Sequence, residues 1–190
     1  MICGMGRWEP DAKGRIAKAA MELYGQRGFD QTTVAEIAER AGVTERTFFR
    51  HFADKREVLF GGSHGLQDLM VGAVTRAPAS AAPIDAVGAA LQASAAVLND
   101  REYSRKRQAI VAASEELRER ELIKMATLTS AISEALRRRG VKEPTASLTA
   151  EAGIAVFRVA FARWVGSANR KELGELMRES LDQLRVAISA

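Results

Sequence analysis

One cysteine, Cys3, occurs in 190 residues, which excludes an internal disulfide and fits a reducing compartment. The two histidines, His51 and His64, cannot supply a metal cluster of dependable spacing even with that cysteine, so no metal site and no cofactor are expected. Prolines number four and aromatic residues make up 6%, and no run of alternating β-branched residues reads as a strand. No apolar run approaches the length of a membrane span or a secretory signal, which leads us to expect a cytoplasmic protein with no membrane contact. A glycine-rich phosphate loop and a nucleophile motif are also missing, so no catalytic residue is assigned and an enzyme is disfavoured. Net charge is only +4, and residues 1–60 carry ten Lys and Arg against nine Asp and Glu. Bulk charge therefore gives no argument for nucleic acid, and any such argument must come from where charges sit.

What is present is helix. Ala, Leu, Glu and Arg recur at helical spacing in a chain that is 47% hydrophobic, long enough for a small domain plus a larger one. The most informative stretch is TTVAEIAERAGVTERTFFRHFADK, residues 32–55. Thr33 stands three residues before Glu36, a capping box that opens one short helix with Val34, Ile37, Ala38 and Ala41 on its inner face. Gly42 suits the left-handed conformation that ends a helix, and Thr44 caps a second helix at once. Phe48 and Phe52, four apart, face the core, which leaves Glu45, Arg46, Thr47, Phe49, Arg50 and His51 outside. Asp54 and Glu57 repeat the capping-box spacing and start a third helix. Two short helices joined by Ala41-Gly42-Val43 have the form of a helix-turn-helix DNA reader.

The major groove offers base-edge donors and acceptors to one helix, so a reader needs small polar groups and a long forked donor. Arg46 is the best candidate for guanine O6 and N7. Thr47 suits a thymine methyl or a phosphate, and Glu45 suits cytosine N4 or the orientation of Arg46. Arg50, His51 and Lys55 lie farther from the helix start and point to phosphates. Thr32 and Thr33, beside free amides of the first reader helix, make a second phosphate anchor, and Thr44 combines a cap with the same capacity.

The run Gly25-Gln26-Arg27-Gly28-Phe29, then Thr33, Ala41-Gly42-Val43-Thr44 and Thr47-Phe48-Phe49-Arg50-His51-Phe52 with Lys55 resembles the DNA-binding domain of the tetracycline-repressor (TetR/AcrR) family. The likeness covers roughly residues 11–60. It implies an all-α protein in which an N-terminal three-helix unit precedes a larger helical ligand-binding and dimerisation domain, and a homodimeric repressor of a palindromic operator released by a small molecule. Backbone contacts by His51 and Lys55 carry over. Family members usually have Tyr where this chain has Phe49, so the hydroxyl contact to phosphate does not carry over, and van der Waals contact with a sugar or thymine methyl remains. A helical dimeric adaptor and a DNA-binding protein without a ligand are the alternatives.

On this reading residues 1–10 form an N-terminal arm, 11–60 the reader and 61–190 the second domain. Met5 is an alternative start, Arg7 a candidate for the minor groove and Trp8 for packing on the first helix, whose buried face is Ile16, Ala19, Ala20, Leu23 and Tyr24. Beyond Lys55, Gly61, Gly62, Gly65 and Gly72 interrupt an apolar helix pattern, which predicts a broken connector. The segment 76–83, RAPASAAP, is a linker. Further helices are expected near 84–99, 101–115, 116–139, 145–167 and 172–188. The basic cluster Arg101, Arg105, Lys106 and Arg107 reads as a solvated helix face, and Arg137 to Arg139 as cations at a helix end.

Helix 145–167 carries one stripe of Leu148, Ala152, Ala155, Val156 and Val159 and another of Ile154, Phe157, Phe161, Trp164 and Val165, so it must be buried on more than one side. With the stripe Leu173, Leu176, Met177, Leu181, Leu184 and Ile188 it suits a four-helix interface between two subunits. Val156, Trp164, Leu173, Leu176, Met177, Leu181 and Leu184 are the expected dimer contacts. The family resemblance implies a pocket among the middle helices, for which Tyr103, Ser114, Met125, Phe157, Arg158 and Phe161 are the candidate ligand residues. Arg158, set in a largely apolar helix, suits an acidic ligand, a salt bridge to Glu151 or the partner subunit, or solvent.

Overall fold

The computed structural model describes residues 11–166 and 171–189. Met5, Arg7, Trp8 and the rest of the 1–10 arm, with Cys3, lie outside them. Ten α-helices and no strand occur among the described residues: α1 (Ala12–Arg27), α2 (Val34–Arg40), α3 (Glu45–His51), α4 (Glu57–Phe60), α5 (Ser63–Arg76), α6 (Pro83–Val97), α7 (Arg101–Ala113), α8 (Glu115–Arg138), α9 (Thr145–Gly166) and α10 (Leu173–Ser189).

Local chemistry sets most boundaries. The capping box of α2 is complete, with Thr33 Oγ1 accepting from the Glu36 amide and Glu36 accepting from the Thr33 amide. Asp100 and Ser114 cap α7 and α8 through their side chains. The connector breaks at Gly61-Gly62, between α4 and α5, and the linker 76–83 gives way to Pro83 in the first turn of α6. Arg139 does more than offset a helix end, because its guanidinium donates to the Ala77 and Pro78 carbonyls, 2.6 and 2.7 Å away, and fixes that linker.

Two apolar cores result. One joins α5, α6, α8, α9 and α10 around Met70, Leu91, Ile132, Leu136, Leu176 and Met177. The other gathers α1 to α4 around Ile16, Leu23, Ile37, Phe48 and Phe52, and it also takes in Ile110, Val111 and Leu117 from α7 and α8. Helices α6 and α9 meet closely at Gly153, where a Cβ would lie 2.3 Å from Val87 Cγ1.

Helix α9 corrects the expectation that no segment reaches membrane-spanning length, since its 22 residues pass by length and composition. Here its inner face, including Ala150, Gly153, Phe157, Ala160 and Trp164, is instead packed into the protein core.

The expected dimer contacts are also corrected. Val156, Trp164, Leu173, Leu176, Met177 and Leu181 are all buried within this one chain, and Leu184 packs against the same core. A helix with two apolar faces and one with a single stripe can satisfy each other, and α9 and α10 do so. What α9 leaves outside is the stripe with Leu148, Ala155 and Val159, where Leu148 is 65% and Val159 54% exposed.

Candidate nucleic-acid interface

Helices α2 and α3 form the helix-turn-helix. Gly42 has φ 65°, a left-handed conformation that costs glycine little, and the Val43 amide returns to the Ala38 carbonyl at 2.9 Å. The chain then turns directly into Thr44, whose Oγ1 accepts from the Thr47 amide at 3.2 Å and lies 3.1 Å from Thr47 Oγ1. Cap and candidate base reader are thus held together. On the inner face, Phe48 is wholly buried and Phe52 nearly so, their rings 5.8 Å apart. The opposite face of α3 presents Glu45, Arg46, Phe49 and Arg50 to solvent.

Phe49 is 54% exposed, and its ring meets Phe48 edge to face at 5.4 Å. That contact fixes the direction in which an apolar ring projects from the helix. With Arg46 and Arg50 beside it, the surface combines forked donors with one apolar plate.

Not every expected contact is on that surface. Thr32 is 1% exposed and its hydroxyl donates to the Gly28 carbonyl at 2.8 Å, so its side chain closes the turn after α1 and does not face a phosphate. Lys55 also turns inward: Nζ donates to the Phe29 and Thr32 carbonyls, both at 2.9 Å, and sits 4.2 Å from the centre of the Phe29 ring. His51 is half-buried, with Nε2 enclosed and lacking a hydrogen-bond partner. Thr33 remains exposed at the start of α2. Its partner Glu36 is held below the ordinary carboxylate range, first by the Thr33 amide and hydroxyl and then by Arg27, 2.7 Å away.

Behind the reader, Tyr24 donates from its hydroxyl to the Lys55 carbonyl at 2.7 Å, and its phenol is pushed well above its usual range by burial and then by Asp54. Asp54 accepts from the Arg56 and Glu57 amides, as its capping spacing predicts. Glu57 does not complete the box. It instead takes Arg120 Nε at 2.6 Å and Lys124 Nζ at 3.2 Å, both from α8. Further ties run from Arg56 to Glu116 at 3.1 Å and from Arg107 to both the Leu59 carbonyl and Glu121. The expected basic face of α7 is therefore divided: Arg107 is tied inward, Arg105 donates to the Val165 carbonyl, and Lys106 pairs with Glu102. These ties could not be read from local pattern, because each partner is 14 or more residues away except in the Lys106 pair.

Residues 16–60 match the family model for bacterial regulatory proteins of the tetR family. Over these residues the reader is of the tetR family. Curated relatives include the HTH-type transcriptional regulator TcmR of Streptomyces glaucescens, 36% identical over 81 residues that span 43% of this chain and 36% of TcmR. YvkB of Bacillus subtilis, named an uncharacterized HTH-type transcriptional regulator, is 50% identical over 42 residues, 22% of each chain. The matched stretch thus spans about a third or less of those relatives' length. Solved structures of other regulators agree along nearly the whole fold. SmeT, the repressor of the Stenotrophomonas maltophilia multidrug efflux pump SmeDEF, superposes with TM-score 0.60 at 22% identity, covering 92% of this chain and 89% of that one. Thermus thermophilus FadR, solved in complex with lauroyl-CoA, gives 0.56 at 24% identity, covering 91% and 93%.

The candidate ligand residues do not converge. An open cleft of about 310 Å³ lies between the start of α5 and the middle of α8, and of the expected set only Met125 lines it. Ser114 is spent capping α8, Phe157 is core with Phe161 stacked on it at 5.9 Å, and Tyr103 and Arg158 are exposed elsewhere. No cluster of three or more His, Cys, Asp or Glu capable of holding a metal occurs among the described residues.

Proposed function

We infer that this chain is a sequence-specific DNA-binding transcriptional regulator, and that it works as a homodimeric repressor released by a small molecule. The observation that carries this reading is the face of α3. Arg46, Phe49 and Arg50 project from a helix whose other side is anchored by Phe48 and Phe52, with the capped helix α2 beside it. Arg46 and Thr47 read bases, Glu45 accepts from a base or orients Arg46, and Thr33, Thr44 and Arg50 meet phosphates. Residues 11–60 are the reader, and residues 61–190 bind the ligand and the second copy, inside the cytoplasm and without catalysis.

A helix of seven residues reads only a few base pairs, so two copies spaced by one turn of DNA, about 34–36 Å, are needed for a useful site. The outward stripe of α9, Leu148, Ala155 and Val159, supports pairing of two such chains. The ligand that the neighbour FadR carries supports a small-molecule effector for this chain as well. Selection of bound duplexes from a random pool tests the reading directly. A palindromic consensus is expected, and recovery of no enriched sequence overturns it.

A further inference from the structure

Resting on the regulator reading above, we propose that the α5–α8 cleft binds a small amphipathic carboxylate, and that this ligand takes Arg120 and Lys124 away from Glu57. Four observations lead there. First, the cleft has a charge imbalance. Arg120 and Lys124 line it, and among the described residues the one carboxylate on them is Glu57, which serves both. Of the acids of α8, Glu116 is engaged by Arg56 and Glu121 by Arg107, and Glu115 and Glu119 do not line the cleft. Two cations sharing one anion leave a net positive charge at the cleft wall, where solvent screening is reduced because the Lys124 side chain is only 13% exposed.

Second, Ser63 Oγ, at the first turn of α5, is enclosed without a hydrogen-bond partner while its residue lines the cleft. A buried hydroxyl without a partner carries a desolvation penalty that a ligand oxygen would relieve. Third, the remaining wall sets the apolar side chains of Leu66, Ile123, Met125 and Leu128 beside the polar His64, Gln67 and Thr127, and Ile123 is 48% exposed at a position where an aliphatic side chain gains nothing from water. Fourth, about 310 Å³ stands at the lower end of the ~300–1,000 Å³ typical of ligand sites, which admits a single ring or a short alkyl chain. A guanidinium fork, an ammonium and a hydroxyl above an apolar wall select a planar monoanion with a compact apolar body.

The consequence reaches the reader. Glu57 opens α4, two residues after Lys55, and its grip on α8 helps fix α4 and the end of the reader against the second core. A ligand carboxylate that satisfies Arg120 and Lys124 removes that tie while leaving Arg56–Glu116 and the Arg107 contacts in place. The reader is loosened on one side, not released.

The test uses benzoate and hexanoate with their neutral counterparts benzamide and hexanamide, titrated into the full chain by calorimetry, with a gel shift on its selected duplex run in parallel. Both carboxylates should bind at least about tenfold tighter than the amides, as expected of charge-assisted hydrogen bonds. Lys124→Met should weaken benzoate by a similar factor. Glu57→Gln, which removes the competing charge, should tighten it several-fold, a gain that a purely structural Glu57 would not produce and that holds the proposal open to refutation if Lys124→Met fails to fold. Absence of carboxylate binding up to 10 mM, equal binding of acid and amide, or unchanged or weaker binding in Glu57→Gln overturns the proposal. Any of these with an intact gel shift defeats the cleft assignment alone, whereas a wild-type chain that shifts no duplex defeats the regulator reading.

Discussion

Replacing Lys55 by Met separates two roles that its position alone leaves tangled. As a phosphate contact, Lys55 would contribute to DNA affinity and nothing to the fold. In the structure its ammonium closes on the Phe29 and Thr32 carbonyls at 2.9 Å each and lies against the Phe29 ring, tying the loop after α1 to the end of the reader. Methionine keeps the length and the apolar stem but supplies no donor. Hydrogen bonds to charged groups contribute about 1.5–3 kcal/mol each, and a cation over a ring about 0.5–2 kcal/mol. The site is only half-buried, so the lower ends apply and the loss should be about 3 kcal/mol. For a chain of this size each kcal/mol lowers Tm by about 2–4 °C, giving a fall of roughly 6–12 °C. The assay is a thermal melt by circular dichroism together with DNA affinity measured across a salt series. The slope of log K against log salt should stay unchanged, because no phosphate contact is lost, whereas a true phosphate contact would reduce the slope by about 0.9. An unchanged Tm with a reduced slope would refute the internal role.

Other perturbations probe the remaining steps. Arg46→Ala should leave folding stability within about 0.5 kcal/mol of the parent and cost about 1–3 kcal/mol of discrimination at one operator position, read by competition with single-base variants; uniform weakening across all variants would place Arg46 on phosphate instead. Gly153→Ala should destabilise by about 1–2 kcal/mol in a urea melt, since the new Cβ meets stiff Val87 Cγ1 at 2.3 Å and overpacking outweighs the helix-propensity gain of about 1 kcal/mol; a more stable variant would contradict that packing. Acid should weaken the reader: Glu36 is held low by the Thr33 amide, and Asp54 by the Arg56 guanidinium, so their stabilisation is complete above the ordinary carboxylate range and is lost as pH falls through the lowered values, below about pH 4. Glu36→Gln should flatten part of that acid limb in melts taken from pH 7 to 3, and an identical limb in the variant would exclude the capping box as a source.

Helix positions were legible in the sequence because they are written locally. The stripes and caps place the last five helices at 84–99, 101–115, 116–139, 145–167 and 172–188, against observed spans whose ends differ by at most two residues. The reader was legible for the same reason, since Thr33, Gly42 and Thr44 each act within four residues of themselves. Periodicity does not say which neighbour an apolar face meets. Leu173, Leu176 and Met177 have the pattern of an interface, and that stripe is spent on the chain's own core. Nor does motif position reveal that Lys55 is captured by carbonyls 23 and 26 residues upstream. Glu57 shows the same limit, because its capping spacing is right and its partners are on α8, 63 and 67 residues away.

Those long-range contacts bear on how the reader could be governed. Ile110, Val111 and Leu117 complete the core under α1 to α4, so the reader is not a bead on a flexible string. Movement of α7 and α8 against the second core must be transmitted to the reader, because buried side chains cannot separate without opening cavities. The polar ties at the same junction behave differently. Arg56 and Glu116 are 40% and 48% exposed, and an ion pair at such a site contributes about 0–1 kcal/mol, whereas the Glu57 pairs are more enclosed and yield to an anion that satisfies the same two cations. The apolar contacts therefore hold α7 and α8 under the reader, and the ion pairs adjust how α4 leans on them. Control of DNA binding through this junction calls for exchange of ion-pair partners at α4, with the apolar seam left closed.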